Sequence, residues 1–90
     1  MPLYIFLIDN ELNVEDLINE IKLVDKILIQ EISVFDVYQG NNIPKDKKSV
    51  SLSIAIQPVE KSLTDNDLEN LSSKIIDSVF KKFGAEIRSL

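Results

Sequence analysis

The sequence predicts an α+β sandwich in which four strands and two helices follow one another in the order β-α-β-β-α-β. Short apolar or alternating segments typical of strands occur at 2–8, 27–38, 50–57 and 85–90. Two segments with apolar residues at helical spacing separate them, at 14–24 and within 62–84. Each helical segment follows a residue that can act as its N-cap.

The first strand and helix come from residues 2–24. The stretch PLYIFLI is a short apolar run with aromatic residues, which is typical of a buried strand. Asn13 is the expected N-cap of the helix that follows the turn at 9–13. Its apolar residues recur at the spacing of a single helical face: Val14, Leu17, Ile18, Ile21 and Val24.

A predicted hairpin follows. The stretch ILIQEISVFDVY (27–38) is rich in β-branched and aromatic residues and indicates a long strand. The stretch VSLSIAIQ (50–57) alternates strictly, so one set of side chains is predicted to face the core and the other to face away. The inward set is Val50, Leu52, Ile54 and Ile56, and the outward set is Ser49, Ser51, Ser53 and Ala55.

The second helix has marked ends. Thr64 is the expected N-cap with Asp67 three residues later, and Gly84 is the expected left-handed C-cap. The predicted buried face is Leu68, Leu71, Ile75, Ile76, Val79, Phe80 and Phe83. Two βα halves of this kind form a ferredoxin-like βαββαβ sandwich, whose four-stranded antiparallel sheet carries both helices on one face. Residues 1–90 are expected to be a single domain of this fold.

Composition excludes several classes of function. The chain has 90 residues with no cysteine and no histidine, so it lacks thiolate metal ligands and the usual acid–base catalyst at neutral pH. The longest apolar run, 3–8, is too short to span a bilayer. The net charge of −5 argues against a protein that holds nucleic acid by charge alone.

The outward face of the predicted hairpin is where polar and aromatic residues meet. If Phe35 and Val37 face the core, then Asp36 and Tyr38 share the outer face with the serines of the next strand. Two alternatives remain for Ile32 and Val34, which fall in phase with Tyr38 in a regular strand. These two residues make the outer face partly apolar, or a β-bulge shifts the phase. In either case the sheet's outer face is expected to be open to solvent.

Most of the remaining polar groups are typical of solvated surface. The cluster Lys45, Lys47 and Lys48 resembles an ordinary loop, and an exposed Tyr beside an Asp is more often surface than site. Asp9 and Glu11 in the first turn would make at best a weak cation site. Because no candidate nucleophile has a base beside it, the domain itself is predicted to be non-catalytic.

Three stretches carry a family resemblance: FDVYQGNNIPKDKKSVSLSI (35–54), EKSLTDNDL (60–68) and KKFGAEIRSL (81–90). They resemble the ferredoxin-fold anticodon-binding domain that closes the β subunit of bacterial phenylalanyl-tRNA synthetases, in which F-D-V-Y-x-G, K-K-S, R-T-L-T-D and F-G-A-x-L-R recur. The matching positions are Phe35, Asp36, Val37, Tyr38, Gly40, Ile43, Pro44, Lys48, Ser49, Leu63, Thr64, Asp65, Phe83, Gly84, Ala85 and Arg88. Lys61 and Ser62 replace the family's Arg-Thr, and Pro2 and Leu3 stand where an Arg-Asp pair is usual.

The resemblance implies a tRNA-binding appendage of a cytoplasmic phenylalanine–tRNA ligase. In that family the open sheet face meets the anticodon stem-loop of phenylalanine tRNA, and the first anticodon base is read at positions matching Asp36, Tyr38 and Ser49. Basic residues around this site are also expected to contact RNA: Lys47, Lys48 and Arg88. The implied partners are the remainder of the β subunit and the α subunit, since the chain is expected to be a C-terminal fragment of a longer one. ATP and Mg²⁺ would serve catalysis elsewhere in the ligase, with no cofactor in this domain and no membrane contact.

A second hypothesis places the chain in another functional class. A ferredoxin-like regulatory or protein-interaction module would bind a partner protein or a small molecule on the same open face. Apolar residues on that face, such as Ile32 and Val34, would favour this reading over RNA binding.

Overall fold

The computed structural model of the chain describes residues 3–56 and 63–87. These residues form the six predicted elements in the predicted order. They are β1 (Leu3–Asp9), α1 (Val14–Val24), β2 (Ile29–Tyr38), β3 (Lys47–Ile56), α2 (Asp65–Phe83) and β4 (Glu86–Ile87). The outer ends of the predicted strands 2–8, 50–57 and 85–90 lie outside the described residues. Among the described helices, none is both long and apolar enough to cross a membrane.

The four strands form one antiparallel sheet in the order β2-β3-β1-β4. Core side chains of β1 and β3 pack in one cluster with the buried residues of α1 and α2. Both helices therefore lie on one face of the sheet, and the predicted ferredoxin-like α+β fold is confirmed.

Local hydrogen bonds begin and end the helices where the sequence predicts. The Asn13 side chain accepts from the Glu15 N–H at 2.9 Å and caps α1. At the start of α2, the Asp67 N–H donates to Thr64 Oγ1 at 3.1 Å and Asp67 Oδ2 accepts from the Thr64 N–H at 3.0 Å. This capping box satisfies two donors that the helix itself leaves without partners. Gly84 ends α2 in the left-handed region at φ 69°, as predicted.

The start of β2 differs from the prediction for a local reason. The Asp25 carboxylate accepts from the N–H groups of Ile27 and Leu28, at 3.0 and 2.9 Å. These bonds hold residues 25–28 in a turn, so the strand begins at Ile29 rather than at residue 27. The apolar character of Ile27 suggested a strand, yet its side chain is 70% exposed.

The predicted core is largely confirmed. Its buried apolar members are Tyr4, Phe6, Ile8, Leu17, Ile21, Ile29, Val50, Leu52, Ile54, Leu71, Ile75, Val79 and Ala85. Phe80 was predicted in this core, and that prediction is wrong, since the side chain is 54% exposed. Phe80 lies at the margin of the apolar stripe of α2, one position past the buried Val79, and Phe83 packs against the core one turn later.

A β-bulge in β2 settles the phase of this strand. Val34 pairs with Leu52, but the next pair is Asp36 with Ser51, so Phe35 is the extra residue. Ile32 and Val34 are consequently in register with core residues of β3 and lie on the helix side of the sheet. The prediction that Phe35 faces the core is wrong, because the bulge leaves its side chain 64% exposed.

Candidate nucleic-acid interface

The sheet surface opposite the helices is called the open face. Directly paired residues of neighbouring strands lie on the same face of a sheet, so the register defines its members. From β2 come Glu31, Ser33, Asp36 and Tyr38; from β3, Lys47, Ser49, Ser51, Ser53 and Ala55; from β1, Leu3, Ile5, Leu7 and Asp9. The predicted outward alternation of the β3 serines is thereby confirmed. The open face therefore has three neighbouring rows: a mainly polar row on β2, a serine-rich row on β3 and a mainly apolar row on β1.

Tyr38 is the one aromatic side chain among these open-face residues. It ends β2, pairs with Ser49 and remains 45% exposed. Its hydroxyl donates to the backbone oxygen of Asn41 at 3.4 Å. Asn41 lies in a turn in which the Ile43 N–H donates to the Gly40 oxygen at 3.2 Å. The phenol ring is therefore supported from the side of the hairpin linker (39–46) while much of it is accessible to solvent.

Asp36 lies near Tyr38 on the same strand, and the bulge places it on the open face. Its cross-strand partner is Ser51, which in turn pairs with Ile5 of β1. Asp36 is exposed and Ser51 is half-buried. A carboxylate and a hydroxyl thus lie side by side next to the exposed phenol, and the hydroxyl can both donate and accept hydrogen bonds.

Ser49 lies with Asp36 and Tyr38 on the open face, but in a different setting from the one expected. It is in register with Tyr38 on one side and Leu7 on the other, and it is only 5% exposed. A small side chain between two large ones forms the floor of this surface. Ser51 is more accessible than Ser49. The strict alternation of 50–57, which puts both serines on the outer face, was the signal that could have placed Ser51 in the site.

The basic residues predicted to contact RNA are distributed around the sheet. Lys47 lies on the open face, where its Nζ is 2.6 Å from Asp9 Oδ1 of the neighbouring strand. The hydrogen bond to Asp9 raises the pKa of Lys47 above its ordinary value. Lys48 pairs with the buried Ile8 and so lies on the helix side, at the rim of the sheet. Arg88 lies outside the described residues.

Sequence reasoning missed the apolar row on β1, made of Leu3, Ile5 and Leu7. These side chains are exposed or half-buried, whereas Tyr4, Phe6 and Ile8 are buried. In a continuous apolar run the two faces look alike, so only the pairing with β3 separates them. These apolar side chains lie directly beside the serines of β3 on the open face.

The acidic turn after β1 was expected to form at best a weak cation site. Asp9, Glu11 and Asp46 line a shallow depression with Asn10 and Leu12. Asp9 is already paired with Lys47. Across residues 3–56 and 63–87, no group of three or more His, Cys, Asp or Glu residues is placed to hold a metal ion.

The fold and the open face define a class of protein: a small α+β module whose exposed sheet presents an aromatic ring beside a carboxylate and hydroxyls. Residues 4–88 match the family described as the ferredoxin-fold anticodon binding domain. The chain therefore belongs to this family, and the resemblance inferred from residues 35–54, 60–68 and 81–90 is confirmed.

Several similar proteins share one name. The chain is 41% identical over 85 residues to the phenylalanine–tRNA ligase β subunit of Rhodopseudomonas palustris. The aligned stretch covers 94% of this chain and 11% of that protein. It is 38% identical over 86 residues to the same subunit of Bradyrhizobium diazoefficiens, and this alignment covers 96% of the present chain and 11% of that subunit. The subunit of Ehrlichia canis is 40% identical over 86 residues, with the same coverage. The chain thus spans about a tenth of the length of these relatives.

Proposed function

We propose that this chain is the anticodon-reading appendage of a phenylalanine–tRNA ligase β subunit, and that its open face contacts the anticodon stem-loop of phenylalanine tRNA. The observation that carries the proposal is the placement of Asp36 and Tyr38 together on the exposed sheet. Family membership and the common name of the relatives support it.

Tyr38 is proposed to stack on an anticodon base. Sequence-specific RNA recognition targets single-stranded loops, whose unstacked bases pack on aromatic side chains. With 45% of its surface exposed and its hydroxyl bonded toward the turn, Tyr38 offers a ring face that is held in place. A ring fixed in this way loses little freedom on binding, which favours affinity.

Asp36 is proposed to read the edge of the stacked base. A carboxylate accepts hydrogen bonds, and guanine presents a ring N–H and an exocyclic amino group as adjacent donors. Asp36 is exposed and Ser51 lies opposite it, so the pair can accept from and donate to the same base. Ser49 would then act as a close-packed floor beneath the base, and contact through its hydroxyl would require Tyr38 or Leu7 to move.

The lysines are proposed to contribute at the rim. Lys45 in the hairpin linker is exposed, and Lys48 is half-exposed near the start of β3, on the helix side of the sheet. Lys47 is engaged with Asp9, so contact with phosphate would compete with that ion pair. Any contribution of Arg88 belongs to the same proposal and rests on the family resemblance.

The catalytic steps are proposed to lie elsewhere in the ligase. Activation of the amino acid with ATP and Mg²⁺, and its transfer to tRNA, would belong to the remainder of the β subunit and to the α subunit. This chain would be a non-catalytic part of a cytoplasmic enzyme, and its partners would be those subunits and the tRNA.

The proposal is tested by titrating the isotope-labelled 90-residue chain with an RNA hairpin that carries the phenylalanine tRNA anticodon loop. Low ionic strength is used because phosphate contacts weaken with salt. Amide signals of Asp36, Tyr38 and Ser51 are expected to shift on binding. Tyr38→Ala should weaken hairpin affinity roughly 5- to 150-fold, since a base–aromatic stack is worth about 1–3 kcal/mol. Tyr38→Phe should retain most of the affinity, because the ring face survives.

Two neighbouring substitutions provide matched controls. Phe35→Ala removes an exposed aromatic from the same strand, and Glu31→Ala removes an exposed carboxylate from the far end of that strand, where Glu31 pairs with Ala55. Neither should change affinity, whereas Asp36→Ala should reduce discrimination between hairpins with guanine and adenine at the first anticodon position. If Tyr38→Ala binds the hairpin as tightly as the unaltered chain, the open face is not the reading surface.

The alternative function is a protein-interaction or regulatory module. Ile32 and Val34 no longer favour it, because both lie on the helix side of the sheet. The apolar row of Leu3, Ile5 and Leu7 on the open face favours it. Concentration-dependent self-association without any response to RNA would support this alternative, and sedimentation at increasing concentration measures it.

A further inference from the structure

Gly40 lies unusually close to the phenol of Tyr38. A Cβ atom placed on Gly40 would be 2.9 Å from Tyr38 Oη, 3.2 Å from Cζ and 3.6 Å from Cε1. The first distance is shorter than real Cβ contacts. The hydroxyl end of the ring therefore lies against the backbone of residue 40, in space that any side chain would occupy.

Backbone conformation does not account for this glycine. Gly84 adopts a positive φ of 69° and ends a helix, whereas Gly40 lies outside the left-handed region. Alanine could adopt the backbone conformation of Gly40 without strain. The contact that a side chain at position 40 would disturb is therefore the close approach of the Tyr38 hydroxyl, since an added Cβ would displace the end of the Tyr38 side chain and not backbone.

Gly40 and Asn41 hold the ring from the same side. The Tyr38 hydroxyl donates to the Asn41 backbone oxygen, and the turn is closed by the bond from the Ile43 N–H to the Gly40 oxygen. The hydroxyl end of the ring rests on this turn while the rest of Tyr38 is partly open to solvent. The position of the backbone at residue 40 consequently sets where the ring lies over the open face.

We infer that Gly40 is a positioning residue for base recognition: by lacking a side chain, it lets the Tyr38 ring lie on the hairpin turn in the orientation that presents its face to an anticodon base. The inference rests on the proposed function for the RNA contact. The position of the ring itself is a property of the free chain. Gly40 touches no base in this scheme and acts through Tyr38.

The experiment compares Gly40→Ala, Tyr38→Ala and the double variant in the 90-residue chain. The added methyl should push the Tyr38 ring off the turn, while amide shifts away from the hairpin linker stay unchanged. Nuclear Overhauser contacts from the Tyr38 ring to residues 40 and 41 should be lost in Gly40→Ala. The signals are separable because the only other tyrosine, Tyr4, is buried and hydrogen-bonded to Ser72.

Affinity for the anticodon hairpin supplies the second measurement. Gly40→Ala should weaken binding by up to the roughly 5- to 150-fold expected for a lost base–aromatic stack. In the Tyr38→Ala background, Gly40→Ala should have no further effect, which is the signature of a residue that acts through another. Gln39→Ala removes only the 3.5 Å bond from the Gln39 side-chain amide to the Lys45 backbone oxygen, and it should leave both ring position and affinity as they are.

The outcomes separate this inference from the proposed function. If Tyr38→Ala weakens binding and Gly40→Ala does not, the proposed function stands and the positioning role is overturned. If Gly40→Ala leaves the ring contacts intact, the role is overturned whatever the affinity. If Tyr38→Ala binds normally, the proposed function fails, and the role of Gly40 in base recognition fails with it.

Discussion

Replacing Ile54 with alanine tests the face assignment on which the whole site depends. Ile54 is fully buried and pairs with Ile32 on the helix side of the sheet. The substitution removes about three carbons at about 0.8 kcal/mol each, or about 2.4 kcal/mol of transfer free energy. The cavity left behind adds to this, so the free energy of unfolding should fall by about 2–5 kcal/mol. A loss of about 3 kcal/mol would lower Tm by roughly 12–24 °C in a domain of this size.

Urea unfolding followed by far-ultraviolet circular dichroism measures the change, with the m-value as a check that the same surface is exposed. Ile27→Ala is the matched control, because it is the same substitution at a side chain that is 70% exposed. The Ile27 N–H keeps its bond to Asp25 in that variant, so stability should change by less than about 0.5 kcal/mol. If Ile54→Ala also costs less than about 0.5 kcal/mol, the faces of β3 are reversed and the serines do not line the open face.

Two further predictions concern α2. Thr64→Ala should cost about 1 kcal/mol by removing the acceptor of the Asp67 N–H, and Thr64→Ser should restore most of it. Hairpin affinity should be unchanged in both variants, because α2 packs on the opposite side of the sheet; weakened binding with unchanged urea stability would contradict that placement. Phe80→Ala should cost about 1 kcal/mol or less, against about 3–5 kcal/mol for a fully buried phenylalanine. A cost in the higher range would return Phe80 to the core.

The parts of the fold that could be predicted from sequence are those governed by local rules. The capping box of Thr64 and Asp67 and the left-handed Gly84 depend on residues within a single turn of helix. The alternation in β3 is equally local, since a period of two leaves each side chain only one face. These signals determined the order of the elements, and the antiparallel sheet with helices on one side followed from them.

The errors occurred where a side chain's position depends on a neighbouring element. The bulge at Phe35 is defined by the pairing of β2 with β3. The alternation of side chains along β2 alone cannot reveal it. The open-face row that includes Ile5 was hidden within a uniformly apolar run. The burial of Ser49 depends on Tyr38 and Leu7 from two other strands.

The candidate site was predictable to a similar extent. Asp36 and Tyr38 were predicted on the open face because Phe35 and Val37 were expected to face the core. Val37 does lie on the helix side, paired with Val50, whereas Phe35 is the extra residue of the bulge. The support of Tyr38 by Gly40 is a three-dimensional contact that the spacing of the two residues does not reveal. The residues that could contact a base are recognisable in the sequence, whereas the contacts that orient them arise only when the strands and the turn are brought together in the fold.

The acidic balance of the chain bears on how such a site would work. With a net charge of −5, and with Lys47 engaged by Asp9, the described open face offers little attraction for a phosphate backbone. Phosphate contacts supply most sequence-independent affinity, whereas contacts to base edges supply discrimination. A surface with Tyr38 and Asp36 but little positive charge is therefore suited to discriminate among loops that other parts of an assembly already hold. Tethering makes such weak contacts effective, because the second binding event becomes intramolecular. The proposed place of this chain as an appendage of a tRNA ligase accounts for a site rich in base-reading groups and poor in charge.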